Sequence, residues 1–237
     1  MTEIEIDTTL TALLDIDVPL VQAPIGPCAG PRLAAAVSNA GALGMLPVTW
    51  QAAEDVGRLL DETRAGTDRP FGVNLILEWD QHERVEACLA AGARIVSFFW
   101  GDPGPYVDAV HDAGGVVLHT VATPEEARRA VDEGVDVVVA QGFEAGGHVW
   151  GEVATMPLVP AVVDAVDPVP VIAAGGIADG RGLAAALVLG AAGAWMGTRF
   201  LAAEESLALG AYKRAVVEGR AQSVEYNGAQ LSRSFER

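Results

Sequence analysis

Eight apolar runs, each followed by a glycine or polar break and then an amphipathic stretch, predict an α/β fold, a single-domain (β/α)8 TIM barrel. Two further observations point the same way. Gly92, Gly114, Gly134 and Gly190 recur where a helix must end in a left-handed residue before the next strand. The chain has 237 residues, is aliphatic and only 6% aromatic, which suits strands covered on both faces by tightly packed helices.

The elements follow in chain order. Residues 1–17 read as an N-terminal cap segment whose short apolar helix, Leu10 to Leu14, plugs the amino-terminal end of the barrel. The barrel is assigned to 18–217 and the polar stretch 218–237 to a C-terminal tail. Strands are expected at Pro19 to Pro24, Ala42 to Pro47, Phe71 to Leu77, Arg94 to Trp100, Val116 to Val121, Val135 to Gln141, Val169 to Ala174 and Ala194 to Thr198. Thr123-Pro124-Glu125-Glu126 supplies an N-cap, a proline at the first helical position and two acids near the positive helix end. Asp179 caps a helix running from Arg181 to Leu189. A right-handed crossover repeated eight times closes on itself.

The formal net charge is −17, with Lys213 the single lysine among 15 basic residues against 32 carboxylates. Such a surface repels nucleic acid and anionic membranes and suits a protein dissolved at high salt. The uncharged stretch Gly182 to Thr198 is below the ~20 residues of a membrane span and is interrupted by four glycines, and Met1 to Asp7 carries no basic region ahead of an apolar core. Cys28 and Cys88 are far apart and form no C-x-x-C pattern, so no disulfide framework and no metal site are expected. A cytoplasmic protein fits these features. Nothing in the sequence decides between a monomer and a homo-oligomer.

Three glycine clusters stand where the carboxyl ends of strands six, seven and eight fall, the end at which such barrels carry their sites. They are Gln141-Gly142-Phe143-Glu144-Ala145-Gly146-Gly147-His148, then Ala173-Ala174-Gly175-Gly176-Ile177, then Gly197-Thr198. Amides freed of Cβ bulk reach a phosphate or a flat ring, so Gly175, Gly176, Gly197 and Thr198 are candidates to hold a phosphate. The alternative is that the glycines serve tight turns alone. His148 is placed to meet a ring and its substrate, whereas His82, His111 and His119 read as structural. Asn74, Gln141 and Gln22 are polar groups in apolar strands. Either they bond one another and nearby backbone, or they read the edge of an isoalloxazine ring. Ala23-Pro24 offers a flat wall for that ring. Trp100 and Trp150 either wall a substrate pocket or simply pack, Cys28 reads as a small buried hydrophobe and Glu144 as a solvated or cap-bonding carboxylate.

Taken in order, Val21-Gln22-Ala23-Pro24, Leu33 to Gly41, Phe71-Gly72-Val73-Asn74, Gln141 to His148, Ala173 to Ile177 and Met196 to Phe200 resemble the nitronate monooxygenase family, formerly called 2-nitropropane dioxygenases. The resemblance implies an FMN barrel that oxidises alkyl nitronates with dioxygen to a carbonyl compound and nitrite. It implies His148 as the active-site residue, Gln141, Gly147, Asn74, Ala23 and Pro24 lining the flavin, and Gly175, Gly176, Gly197 and Thr198 holding its phosphate. His148 either stabilises the bound anion as imidazolium or takes the α-proton from a neutral nitroalkane. Ile25 departs from the methionine many members carry, and Val149-Trp150 adds one residue between His148 and Gly151. Two other readings stand beside this one: an NAD(P)H-dependent flavin reductase of an enoyl thioester or quinone, and a barrel that binds a phosphorylated ligand without turnover.

Overall fold

Apolar runs become parallel strands and the breaks between them become helix starts throughout the computed structural model of the protein, which describes residues 6–219. The strands are β1 (Leu20–Gln22), β2 (Gly44–Pro47), β3 (Phe71–Ile76), β4 (Ile95–Phe99), β5 (Val116–Val121), β6 (Val137–Gln141), β7 (Val171–Ala174) and β8 (Gly193–Met196). They form one parallel sheet in the order β1-β8-β7-β6-β5-β4-β3-β2. Helix α1 (Thr9–Leu14) precedes them. Between strands run α2 (Pro31–Asn39), α3 (Ala53–Arg64), α4 (His82–Ala90), α5 (Gly104–Asp112), α6 (Pro124–Asp132), α7 (Thr155–Val166) and α8 (Gly180–Val188). After β8 come the one-turn α9 (Thr198–Leu201) and then α10 (Gly210–Glu218). The chain is therefore a TIM barrel.

The helix signals act as their chemistry requires. Thr123 accepts from the Glu126 amide at the start of α6, and Asp179 accepts from the amides of Arg181 and Gly182 at the start of α8. Gly92, Gly114, Gly134 and Gly190 take φ of +85°, +72°, +98° and +94° at four helix ends. One strand end needs correction. The expected run to Thr198 stops at Met196, because the backbone at Gly197 leaves the extended region and Thr198 opens α9. Other strand ends shift by one or two residues where the apolar pattern outlasts the ladder.

Strand alternation sorts the core into two layers. Val21, Met45, Ile95, Leu118, Val139 and Ile172 point into the barrel, and Leu10 and Leu14 of α1 join them, closing its amino-terminal end. Each of those two fully buried leucines contributes roughly 2 kcal/mol. Val73, Val96, Phe98, Val117 and Val138 point outward against Leu60, Val85, Val110 and Leu158 of the helices. The same alternation puts Asn74, Ser97, Thr120 and Gln141 on the inward series, at the carboxyl-terminal end.

Between β1 and β2 the ring is joined by a single bridge, Val21 to Leu43. Gln22, fully buried, stitches this seam: its Oε1 accepts from the Met45 amide at 3.1 Å, and its Nε2 donates to the carbonyls of Met45 and Ala23. Of the two readings open for Gln22, backbone bonding is the one observed. His82 pairs with Asp80, and His111 with Asp136 at 2.9 Å. Cys28 is half-buried, not buried as expected, because its loop lies over the end of the barrel; Cys88 is buried. The tail assigned to 218–237 lies, apart from 218 and 219, outside the described residues. Among the described residues no helix is long and apolar enough to cross a membrane.

Candidate active site

Loops following β6, β7, β8 and β1 converge at one place, and their glycines permit it. A Cβ on Gly146 would lie 2.7 Å from the Thr198 hydroxyl, and one on Gly175 would lie 2.8 Å from Thr155 Oγ1 and 3.0 Å from the Ala145 nitrogen. A Cβ on Gly197 would come within 3.3 Å of the Ala23 side chain, and the Ala23 amide donates to Met196. Ala23, Pro24, Gly147, Gly175, Gly176, Gly197 and Thr198 thus belong to one neighbourhood. All but Thr155 come from sequence positions singled out for a cofactor or next to one.

Gly175 and Gly176 both adopt left-handed backbone, with φ of +109° and +70°. Among the described residues, the amides of Gly175, Gly176 and Thr198 donate to no partner. Unpaired donors held at adjoining turns are what a phosphate needs. The positive end of α8 is already capped by Asp179, whereas α9 starts at Thr198 with no side-chain cap. Arg199, exposed and in none of the ion pairs among the described residues, adds a cation beside that start. The residues present therefore fit a phosphoryl group.

The cradle is fastened from behind. Glu144 Oε2 accepts from the Thr155 amide at 2.8 Å and from its hydroxyl at 3.0 Å, and that hydroxyl lies 3.0 Å from the Gly175 carbonyl. Glu144 so caps α7 and ties the loops after β6 and β7 together, which is the cap-bonding role read from the sequence.

His148 is half-buried, and burial holds its pKa below the ordinary histidine value, which favours the neutral imidazole. Its ring meets the Trp100 indole edge-on, with centroids 5.1 Å apart. Trp100 reaches that position by a left-handed backbone, φ +60°, which costs about 1–2 kcal/mol in a non-glycine residue. Gln141 holds the loop: Nε2 donates to the His148 carbonyl at 3.0 Å, and Oε1 accepts from the Trp150 amide at 3.1 Å. Glu126 Oε1 accepts from the Trp150 indole at 2.8 Å. Gln141 is therefore engaged with backbone, keeping one N–H for another partner. Asn74 donates to Ser97 at 3.1 and 3.3 Å, which leaves its Oδ1 as an acceptor at the barrel mouth. Sequence reasoning missed Glu126 and Thr155, both of which act through partners far along the chain.

A sequence profile of the nitronate monooxygenase family matches residues 7–83 and 78–231. Over 89% of its length the chain is 42% identical to a Mycobacterium tuberculosis protein named (3aS,4S,5R,7aS)-5-hydroxy-7a-methyl-1-oxo-octahydro-1H-indene-4-carboxyl-CoA dehydrogenase, of which it covers 60%. It is 37% identical to a Pseudomonas aeruginosa nitronate monooxygenase, with 89% of this chain and 74% of that one aligned. The solved structure of FabK from Thermotoga maritima superposes with a TM-score of 0.91 at 40% identity, covering 95% of this chain and 72% of that one. The chain spans about three fifths of the length of the curated dehydrogenases it matches, 60% and 56%.

Proposed function

This chain belongs to the nitronate monooxygenase family, and from that premise we propose that it is an FMN-dependent oxidoreductase acting on small carbon acids, with alkyl nitronates as substrate and dioxygen as electron acceptor. The observation that carries the reading is a half-buried His148 set beside a cradle of unpaired amides. In this reading residues 18–217 are the flavin-binding unit, behind a cap at 1–17. FMN held there would supply an acceptor for the electron pair of the substrate carbon, with dioxygen as the final oxidant.

The chain's own residues then divide the work. Gly175, Gly176, Gly197 and Thr198 grip the phosphoryl tail, and Ala23-Pro24 forms a small wall for the ring. Asn74 Oδ1 accepts from a ring N–H, while Gln141 and Gly147 set the backbone beneath His148. Because burial favours the uncharged ring, of its two roles we assign His148 that of the base, taking the α-proton of a neutral nitroalkane at an imidazole nitrogen and so forming the nitronate that is oxidised. Trp100 excludes water from one side of that ring. A reducing cytoplasm suits the two free cysteines, and the acidic surface argues against nucleic acid as a partner.

A second reading is favoured by a specific observation: the 42% identity to a protein named as a CoA dehydrogenase, with FabK the structural neighbour. The carbon next to a thioester carbonyl is also a carbon acid, so the same base and the same cradle serve it. The purified protein should be yellow, and anaerobic stopped-flow mixing with propyl-2-nitronate should bleach it. Bleaching by an acyl-CoA thioester or by NADH, and not by the nitronate, would replace the first reading with a thioester oxidoreductase or a reductase. A protein that stays colourless after soaking in FMN would end both.

The loop clamp gives a milder test. Glu126→Ala removes the acceptor of the Trp150 indole and loosens the His148 loop, so kcat should fall roughly tenfold. The flavin spectrum should not change, since Glu126 is remote from the phosphate cradle; steady-state kinetics beside an absorbance scan measures both.

A further inference from the structure

We propose that the cavity on the outer side of β5, behind Trp100, is a second ligand site that takes a small organic cation with N–H donors, an ammonium or amidinium group on a flat apolar body. The cavity measures about 330 Å³ and is lined by the 100–103 loop after β4, by His119 and Thr120 of β5, by one face of α6 and by Trp150, with no residue of the glycine cradle among them. Trp100 is the wall it shares with His148.

His119 at its inner end is the reason to expect an occupant. Strand alternation points Leu118 and Thr120 into the barrel and His119 out toward α6. The residue is 6% exposed, and its Nδ1 is buried with no partner. Burial pushes the ring pKa down to about 4, with the Asp102 charge and then the Phe98 backbone opposing it. A neutral imidazole carries one N–H and one lone pair, and each needs a partner once buried. What Nδ1 lacks is that partner. One water would supply it but fills only about 30 Å³, a small part of this space.

The surroundings specify the partner's charge. Asp102 and Glu133 stand near each other at the rim, and partial burial, then the Asp102 charge, raises Glu133 above the ordinary carboxyl range. With Glu126 they make three carboxyl groups against one guanidinium, Arg129, which joins no ion pair among the described residues. Acceptors and negative charge predominate, so an anion is repelled and a donor-bearing cation is drawn in. The indoles of Trp100 and Trp150, 6.1 Å apart, offer flat faces to an apolar body and attract a cation.

Isothermal titration of the flavin-loaded full chain with benzamidinium, neutral benzamide and benzoate tests this without turnover, so a failed nitronate assay and a failed titration are separate results. Benzamidinium should bind one to one with Kd at or below about 1 mM, at least tenfold tighter than benzamide, and benzoate should give no heat. His119→Phe removes the unpartnered ring nitrogen and Glu133→Gln the charge; each should weaken benzamidinium at least tenfold with an unchanged flavin spectrum. If His119→Phe does not fold, the exposed Glu133→Gln decides. Equal binding of benzoate, no binding of any probe, or binding indifferent to these substitutions would make the cavity a hydrated gap and overturn the proposal.

Discussion

His148→Ala is expected to lower kcat/KM on a neutral nitroalkane by roughly 10²- to 10⁴-fold, the usual worth of a general base, while the protein stays yellow. The two halves of this result rest on different parts of the site. The imidazole has no hydrogen-bonding partner among the described residues and touches the Trp100 ring, so its loss removes chemistry and little scaffold. The phosphate cradle proposed above uses Gly175, Gly176 and Thr198, on other loops. A preformed nitronate has already lost its α-proton, so the same substitution should cost much less on that substrate.

The pH profile carries the same assignment. A base works when unprotonated, and burial lowers the His148 pKa from 6.5. Wild-type kcat/KM on the nitroalkane should therefore rise along an acid limb that lies below pH 6.5 and be level by about pH 7. His148→Ala should lose that limb. Loss of flavin on substitution would mark His148 as structural, and unaltered turnover would remove it from the mechanism.

Gly176→Val is expected to weaken FMN binding by about 100-fold or more, measured by titrating flavin fluorescence into the apoprotein. The position is chosen because the protein itself has room there: the nearest atom to an added Cβ is Glu144 Cβ at 3.5 Å, an ordinary contact. The left-handed φ of +70° adds strain of about 1–2 kcal/mol, enough to lower the melting temperature by several degrees without unfolding the chain. Most of the lost affinity must then come from methyl groups standing where the phosphoryl oxygens go. Gly175 is the poorer choice, since a Cβ there would collide with Thr155 and Ala145 and break the Glu144 latch. Unchanged FMN affinity in Gly176→Val would move the phosphate off these loops.

Much of this architecture was legible before any coordinates, for local reasons. β-Branched runs, an N-cap at Thr123 or Asp179, and left-handed glycines at helix ends each act within a few residues of themselves, so periodicity and residue type suffice. The grouping of Ala23, Gly147, Gly175, Gly197 and Thr198 followed from the barrel itself, which sends every strand's carboxyl end to one face. What the sequence could not supply were the partners of long polar side chains. Gln22 and Gln141 were equally compatible with a ring edge and with backbone, and only packing assigned Gln22 to Met45 and Gln141 to the loop around His148. Glu126 read as a helix-start acid, which it is, yet it also anchors an indole 24 residues away. The left-handed turn at Trp100 carried no signal either, since tryptophan disfavours that backbone and only the surrounding contacts impose it. His119 read as an ordinary structural histidine, and a sequence offers no view of a gap beside it.

The join at Val21 and Leu43 makes the barrel a clasped bracelet, with Gln22 as the catch. The residues directly after that catch, Ala23 and Pro24, are the wall assigned to the flavin. Wherever the cofactor sits against them, its grip and the fastening of the bracelet reinforce each other, because a ligand that binds only the shut form holds it shut. Losing the cofactor would leave that clasp to its own few bonds, the thinnest pairing in the circle.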